Sequence, residues 1–319
     1  MPRLLYTVDD LVSQVRSQLD EENIDSVSTD NDILPALNRA QDFAADIYAK
    51  HYPEPFLAYT TLTLSGGVAE YDMPEDLFED RVEKVEISIN QTYREVKRLS
   101  YRDITIYESS THTDIPVYYV LYGRKIRFLS TPSGTYNARM WYVRNPEKLV
   151  LQQGRITVVN SASNYVTVDS AGSALTTEAD QLGSYVNFVD GQTGEIKGSA
   201  QIQRLSDNRI TVRTSPTRST VLNRTISSLS DLSIGLDDYL CSIDGTCVPY
   251  FSRPTSNFLI QYAVSEITRK LGGAGGPEEE ILNKFEQQVQ RSWAGREQSL
   301  RIKKDNNIWS IQRRWWPRF

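Results

Sequence analysis

ILPALNRAQDFAADIYAKHYPEPFLAYTTLTLSGG, residues 33–67, changes its hydrophobic period half-way along, and that change decides the fold class. Ile33, Leu37, Ala40, Phe43, Ala44 and Ile47 recur at steps of three and four, which gathers them on one side of an α-helix. Pro35 is tolerated because it falls in the first turn, and the helix ends before Pro53 and Pro55. From Thr60 the residues alternate as TTLTL, the period of a strand with one buried face, until Gly66–Gly67 interrupts it.

Toward the N-terminus the helical period continues. Thr7 with Asp10 three positions on is a capping signature, and Val8, Leu11, Val12, Val15 and Leu19 make one apolar stripe, so a first amphipathic helix precedes the polar stretch Glu21–Asp30. Toward the C-terminus the period of two persists. VEKVEISI (82–89), IPVYYVLY (115–122), KIRFL (125–129) and ARMWYV (138–143), separated by Gly123 and Pro132–Gly134, read as an antiparallel sheet. RITVV (155–159), YVTV (165–168), YVNFV (185–189), IKGSAQI (196–202) and RITVRT (209–214) follow between Gly, Ser, Asp and Asn turns. Short, evenly spaced strands of this kind make a small barrel or sandwich, here a module inserted into the chain.

Helix then returns. Thr255 or Ser256 can cap a segment carrying Phe258, Leu259, Tyr262, Ala263, Ile267 and Leu271, which the glycines of GGAGG (272–276) stop. Pro277 starts another, with Glu278, Glu279 and Glu280 on the positive end of its dipole and Ile281, Leu282, Phe285, Val289 and Trp293 on its apolar face. Helices this short need cover from one another or from the sheet, and the simplest arrangement is a four-helix bundle built from the two ends of the chain. The expectation is an α+β protein: a helical segment 1–58, an antiparallel β region 59–150, an inserted small β-barrel or sandwich module 151–235, a second helical segment 236–300 completing the bundle, and an extended C-terminal arm 301–319.

With 319 residues, 39% of them hydrophobic, the chain can bury a core without a disulfide framework or a metal. No run of about 18 apolar residues exists, and MPRLLYTVDD lacks the apolar core of a signal peptide, so a cytosolic origin and no membrane partner are expected. Cys241 and Cys247 could form a local disulfide or stay as two thiols, the latter favoured in a reducing compartment. His51 and His112 have no further ligand at metal-binding spacing, so no metal and no cofactor are assigned.

Catalytic motifs are missing too: there is no GK[ST] loop, GxSxG or HExxH. The acidic pairs Asp9–Asp10, Glu75–Asp76, Glu79–Asp80 and Asp237–Asp238 read as solvated turns, with a hydrolytic pair at Asp237 and Asp238 as a remote alternative. His51 reads as a helix C-terminal residue and His112 as loop surface. The chain is not expected to be an enzyme.

Charge singles out the last nineteen residues. Arg301, Lys303, Lys304, Arg313, Arg314 and Arg318 against Asp305 alone give residues 301–319 a net +5, so the overall −6 leaves −11 on residues 1–300. The same segment holds Trp309, Trp315 and Trp316, three of the five tryptophans, and ends in Phe319. Each exposed ring of this size gains about 1.5–3 kcal/mol on burial, and Trp with Arg dominates interface hot spots. Docking onto a partner is the leading reading of WSIQRRWWPRF (309–319). Folding back onto its own body and stacking on nucleic acid are the alternatives, the latter opposed by the acidic body.

ILPALNRAQDFAADIY (33–48), VAEYDMPEDLFEDRVEKVEI (68–87), IPVYYVLYGRKIRFLSTPSG (115–134), MWYVRNPEKL (140–149), SNFLIQYAVSEITRKLG (256–272) and EEEILNKFEQQVQRSW (278–293) together resemble the head-to-tail connector, or adaptor, proteins of tailed bacteriophages. The likeness covers residues 5–150 and 236–300; the block 151–235 departs from it. That resemblance implies a structural virion protein of the neck, made in the host cytoplasm. It implies a homo-oligomeric, dodecameric ring that docks under the portal protein and joins tail or nozzle proteins below, while viral DNA passes the lumen without specific binding. It also implies a portal-binding arm, which here would be Trp309, Arg313, Arg314, Trp315, Trp316, Arg318 and Phe319. A carbohydrate-binding or baseplate-type β module on a helical scaffold is the other reading, suggested by 18 tyrosines and the inserted strands.

Overall fold

The computed structural model describes residues 6–19, 26–104, 107, 115–169, 185–206, 208–212, 229–243, 245–249, 253–272 and 279–291. It is an α+β protein. The chain divides into two compact units, Met1–Ile47 with Glu147–Phe319, and Tyr48–Pro146.

In the first unit, α1 (Val8–Gln18) begins on the expected capping box: Asp10 N–H donates to Thr7 Oγ1 at 3.2 Å and Thr7 N–H to Asp10 Oδ2 at 2.9 Å. Val8, Leu11, Val12 and Val15 are buried, whereas Leu19 is the C-cap residue. A turn of π-helix, Thr29–Ile33, capped by Ser28, leads into α2 (Leu34–His51). Ile33 at the end of that turn and Ala36, Leu37, Ala40 and Ala44 of α2 form one buried row. Phe43, expected in that row, is 41% exposed: small alanines let neighbours approach closely, and the larger ring lies at the stripe's edge, 5.4 Å from Tyr262.

Arg253–Lys270 is α3, and residues 279–291 form α4. Thr255 and Ser256 do not cap α3. The helix starts two residues earlier with Pro254 in its first turn, and both hydroxyl side chains are buried inside it. Helix α3 packs against α1, against α2 through Phe43–Tyr262, and against α4 by stacking Phe258 on Phe285 at 4.1 Å and 12°. Glu266 is buried on α3 and accepts a two-pronged hydrogen bond from Arg39 of α2, one arm of which, from Nε to Oε2, measures 3.0 Å. Gly272, with φ of +81°, terminates α3 in the left-handed conformation glycine favours.

Six strands close the barrel of this unit: β8 (Gln152–Asn160), β9 (Tyr165–Val168), β10 (Tyr185–Val189), β11 (Ile196–Ser206), β12 (Arg209–Val212) and β13 (Tyr239–Ser242), in the order β10-β11-β12-β9-β8-β13. Ile156, Val166, Val186, Phe188, Ile202, Ile210 and Leu240 are among the side chains that fill it. Strand β13 has no alternation to betray it in sequence, since Tyr239, Leu240 and Cys241 are all buried. Near β13 an ionic knot joins three strands' ends: Lys197 Nζ reaches Asp238 Oδ2 at 2.8 Å, Asp190 Oδ2 at 3.1 Å and the Ser233 carbonyl at 3.2 Å.

Barrel and helices meet at residues 147–149. Asn38 of α2 accepts from Leu149 N–H at 2.8 Å and donates to its carbonyl at 3.1 Å, and Gln41 donates to the Glu147 carbonyl at 2.8 Å. Leu149 pairs in parallel with Thr246, and Gly245 allows that approach, because a Cβ there would lie 2.0 Å from the Lys148 carbonyl oxygen. Helix α1 joins the same place: Val8 N–H donates to the Cys247 carbonyl at 2.8 Å, and Gln152 N–H to Asp9 Oδ2 at 3.2 Å.

The second unit holds β1 (Leu57–Leu64), β2 (Glu70–Asp72), β3 (Leu77–Ile89), β4 (Thr92–Arg98), β5 (Tyr118–Tyr122), β6 (Lys125–Leu129) and β7 (Tyr136–Arg144), in the order β1-β7-β3-β4-β5-β6-β2. The expectation of a wholly antiparallel sheet is corrected at one place: β4 and β5 pair in parallel, Lys97 with Tyr118 and Arg98 with Tyr119. Where the links are tight, as at Asn90–Gln91 with φ of 50° and 66°, the partners must be antiparallel, whereas the long connection from β4 to β5 permits a crossover. Leu64, Val85, Ile87, Ile126, Phe128 and Met140 form the core on one face.

Replacing Asn38 by Leu keeps the number and branching of the side-chain heavy atoms and leaves the buried Leu149 N–H and carbonyl without the Asn38 amide. The expected loss is about 2–4 kcal/mol, read as a lower urea midpoint at unchanged slope; an unchanged midpoint would remove Asn38 from this role.

Candidate functional site

Every residue assigned to the arm from sequence, Trp309, Arg313, Arg314, Trp315, Trp316, Arg318 and Phe319, lies outside the described residues. What the described residues assemble is a cluster of rings and charges on the face of the sheet in Tyr48–Pro146 opposite its core. Alternation along β7 sends Ala138, Met140 and Tyr142 into the core and Arg139 and Trp141 outward. Register then sets Tyr59 of β1 opposite Trp141, with ring centroids 5.0 Å apart, and Glu86 of β3 opposite Arg139.

The Arg139 guanidinium lies over three rings: Tyr93 at 4.3 Å, Tyr59 at 5.0 Å and Trp141 at 5.9 Å from the centroids. Its Nε is buried and has no hydrogen-bond partner among the described residues, so the rings' negative faces balance the cation. Trp141 Nε1–H donates to Glu86 Oε2 at 3.0 Å, and Lys84 Nζ sits 2.6 Å from Glu86 Oε1. Those contacts, Lys84 first, with the nearby Arg139 charge, hold the Glu86 carboxyl below its usual pKa against the opposing effect of burial. Tyr59 remains 56% exposed and Tyr93 39% exposed. Such a surface stacks on apolar or planar groups and pairs charges, and Trp, Tyr and Arg are the residues that anchor interfaces.

A concavity lies between α3 and α4, about 340 Å³ in volume and lined by Asn257, Phe258, Gln261, Ile281, Lys284, Phe285 and Gln288.

The acidic pairs noted in sequence have structural partners. Asp9 and Asp10 anchor α1 as described, and burial, as the largest influence, raises the Asp9 pKa. Asp76 accepts from the Tyr142 hydroxyl at 2.9 Å; burial and then that carboxylate push the phenol's pKa well up. Glu79 and Asp80 occupy positive φ in the irregular stretch of β3. Asp237 pairs with Arg155. Asp238 accepts from Gly235 N–H at 2.7 Å as well as from Lys197, so its oxygens are committed to the barrel end rather than to a substrate. His51 is the last residue of α2, and His112 lies outside the described residues. Among the described residues no group of three His, Cys, Asp or Glu side chains could hold a metal ion, and no helix is long and apolar enough to cross a membrane.

The Arg139 surface was missed in sequence. ARMWYV shows which residues share a side, but not that β1 lies beside β7 and brings Tyr59 onto Trp141. Arg139→Met keeps the aliphatic stem and deletes the cation. Its expected cost is about 0.5–2 kcal/mol, measured by urea unfolding and accompanied by a change in Trp141 fluorescence; no change in either would show that the rings do not hold the cation.

In comparison with known proteins, a family model described as SU10 adaptor protein matches residues 6–176, from the N-terminus of α1 through β9. No curated protein matches the chain.

Proposed function

The chain belongs to the SU10 adaptor protein family, structural adaptors of bacteriophage particles, and on that premise we propose that it is the head-to-tail connector of its virion, a ring docked beneath the portal by the C-terminal arm. The observation that carries the reading is the family match over residues 6–176, more than half of the chain, joined to a tail of opposite charge to its body. In this reading the divisions are those drawn from sequence: helical segments 1–58 and 236–300 closing as one four-helix bundle, a β region 59–150, an inserted module 151–235, whose barrel takes its closing strand β13 (Tyr239–Ser242) from the segment that follows, and the arm 301–319. The contacts of α3 with α1, α2 and α4 support the bundle.

A ring follows from heterologous contacts closed by rotation. Each modest contact is repeated around the collar, a dodecamer in this proposal, and many weak contacts sum to a stable assembly. Trp309, Arg313, Arg314, Trp315, Trp316, Arg318 and Phe319 bind the portal. Tail or nozzle proteins bind the distal side, and the neck between capsid and tail is the site of action. The −11 charge of residues 1–300 suits a lumen that repels DNA phosphates, since cationic neutralisation of phosphate is what makes DNA adhere. The activity proposed is mechanical and structural, not catalytic.

Purified full-length protein should co-sediment with its portal, and a chain lacking residues 301–319 should not, while keeping the circular dichroism and melting of the full chain. Equal binding by the truncated, folded protein would overturn the assignment of the arm.

A further inference from the structure

We propose that Cys241 and Cys247 form an intramolecular disulfide when the folded protein meets a small-molecule disulfide, so that the pair is an oxidation site built into the base of the barrel. They are the chain's only cysteines, both are fully buried free thiols, and both belong to one cluster with Val189, Ile196, Tyr239 and Val248. Hydrogen bonds hold the described residues between them. Asn187 of β10 donates to the carbonyls of Ile243 and Gly245, both at 3.0 Å, and Cys241 Sγ–H donates to the Gly245 carbonyl at 3.3 Å. Thr246 is fixed beside Leu149, and the next residue, Cys247, is buried in the same cluster as Cys241.

Burial first, and then the neighbouring Cys241, push the Cys247 thiol well up, so the closed structure holds that thiol protonated and unreactive. Reaction therefore proceeds through local opening of the loop, and its rate rises with low concentrations of urea. Chemically, one thiolate attacks a sulfur of the external disulfide and releases one thiolate; the second cysteine attacks the mixed disulfide and releases the other. Two electrons and two protons pass to the reagent, which leaves as two thiols, and one S–S bond forms in the protein. Because the Cys247 carbonyl holds Val8 N–H, the cross-link also pins the start of α1. This inference goes beyond the connector reading and is independent of it.

The test is a time course of the full-length protein with oxidised glutathione, quenched, denatured and alkylated. The expected result is simultaneous loss of both alkylatable thiols, a monomer lighter by two hydrogens, a change confined to the peptide carrying both cysteines, and a raised urea midpoint. Cys247→Ser should instead give a stable mixed disulfide at Cys241. Should that variant fail to fold, the wild-type time course decides alone. Thiols that remain fully alkylatable, or that end only as mixed disulfides or covalent dimers, would overturn the proposal.

Discussion

The grip of Asn38 on both main-chain polar groups of Leu149 is the constraint on which the unit Met1–Ile47 with Glu147–Phe319 depends. Leu149 is buried, so water cannot replace that side chain, and a buried peptide group left unpaired costs about 1–3 kcal/mol. The grip fixes α2 to the chain that enters the barrel, and the bridge from Leu149 to Thr246 carries it to the loop after β13. Through Cys247 and Asp9 the same node fixes α1, and through Arg39 and Glu266 α2 holds α3. Asp9 contributes with a mixed sign. Its pKa is raised, so its ionised form is disfavoured in the folded state, and this opposition fades as pH falls through the raised value; its bond to Gln152 partly offsets the cost at neutral pH.

Ionic groups reinforce the barrel in the opposite sense. Burial alone would raise the Asp190 carboxyl, but the N–H groups of Thr193 and Gln192 and the Lys197 ammonium outweigh it and hold its pKa below the usual value. Its stabilising contribution is therefore present above the ordinary carboxylate pKa and is lost as pH falls through the lowered one. Charges used in this way position backbone. The polar surface with a different character is that of Arg139, Tyr59, Tyr93 and Trp141, which is assembled on a sheet whose opposite face is core. A stiff sheet that presents rings and charges outward suits a structural adaptor of a phage particle better than a cleft with reactive groups would.

How far the sequence discloses this depends on the range of the interaction. The capping box at Thr7 and Asp10, the stripe of α1, the end of α2 before Pro53 and most strands follow from spacings of two to four residues, and they were legible. Phe43 was misplaced because a helical stripe has edges, and a row of alanines changes which residue lies at its centre. Thr255 and Ser256 looked like caps, but Pro254 initiates α3 ahead of them. The parallel pairing of β4 with β5, the closing strand β13 and the meeting of Tyr59 with Trp141 depend on which distant segments become neighbours, which periodicity does not encode. The arm is proposed from charge and aromatic content alone and lies outside the described residues, and the family resemblance rested on phrases that, up to residue 149, fall inside the matched span.

The most direct measurement of the central claim is an image, at side-chain resolution, of the portal with this protein bound. The account expects the indoles of Trp309, Trp315 and Trp316 to be enclosed by portal side chains, with Arg313 and Arg314 against portal carboxylates. Indoles packed on their own subunit, with the portal held by other surfaces, would contradict it.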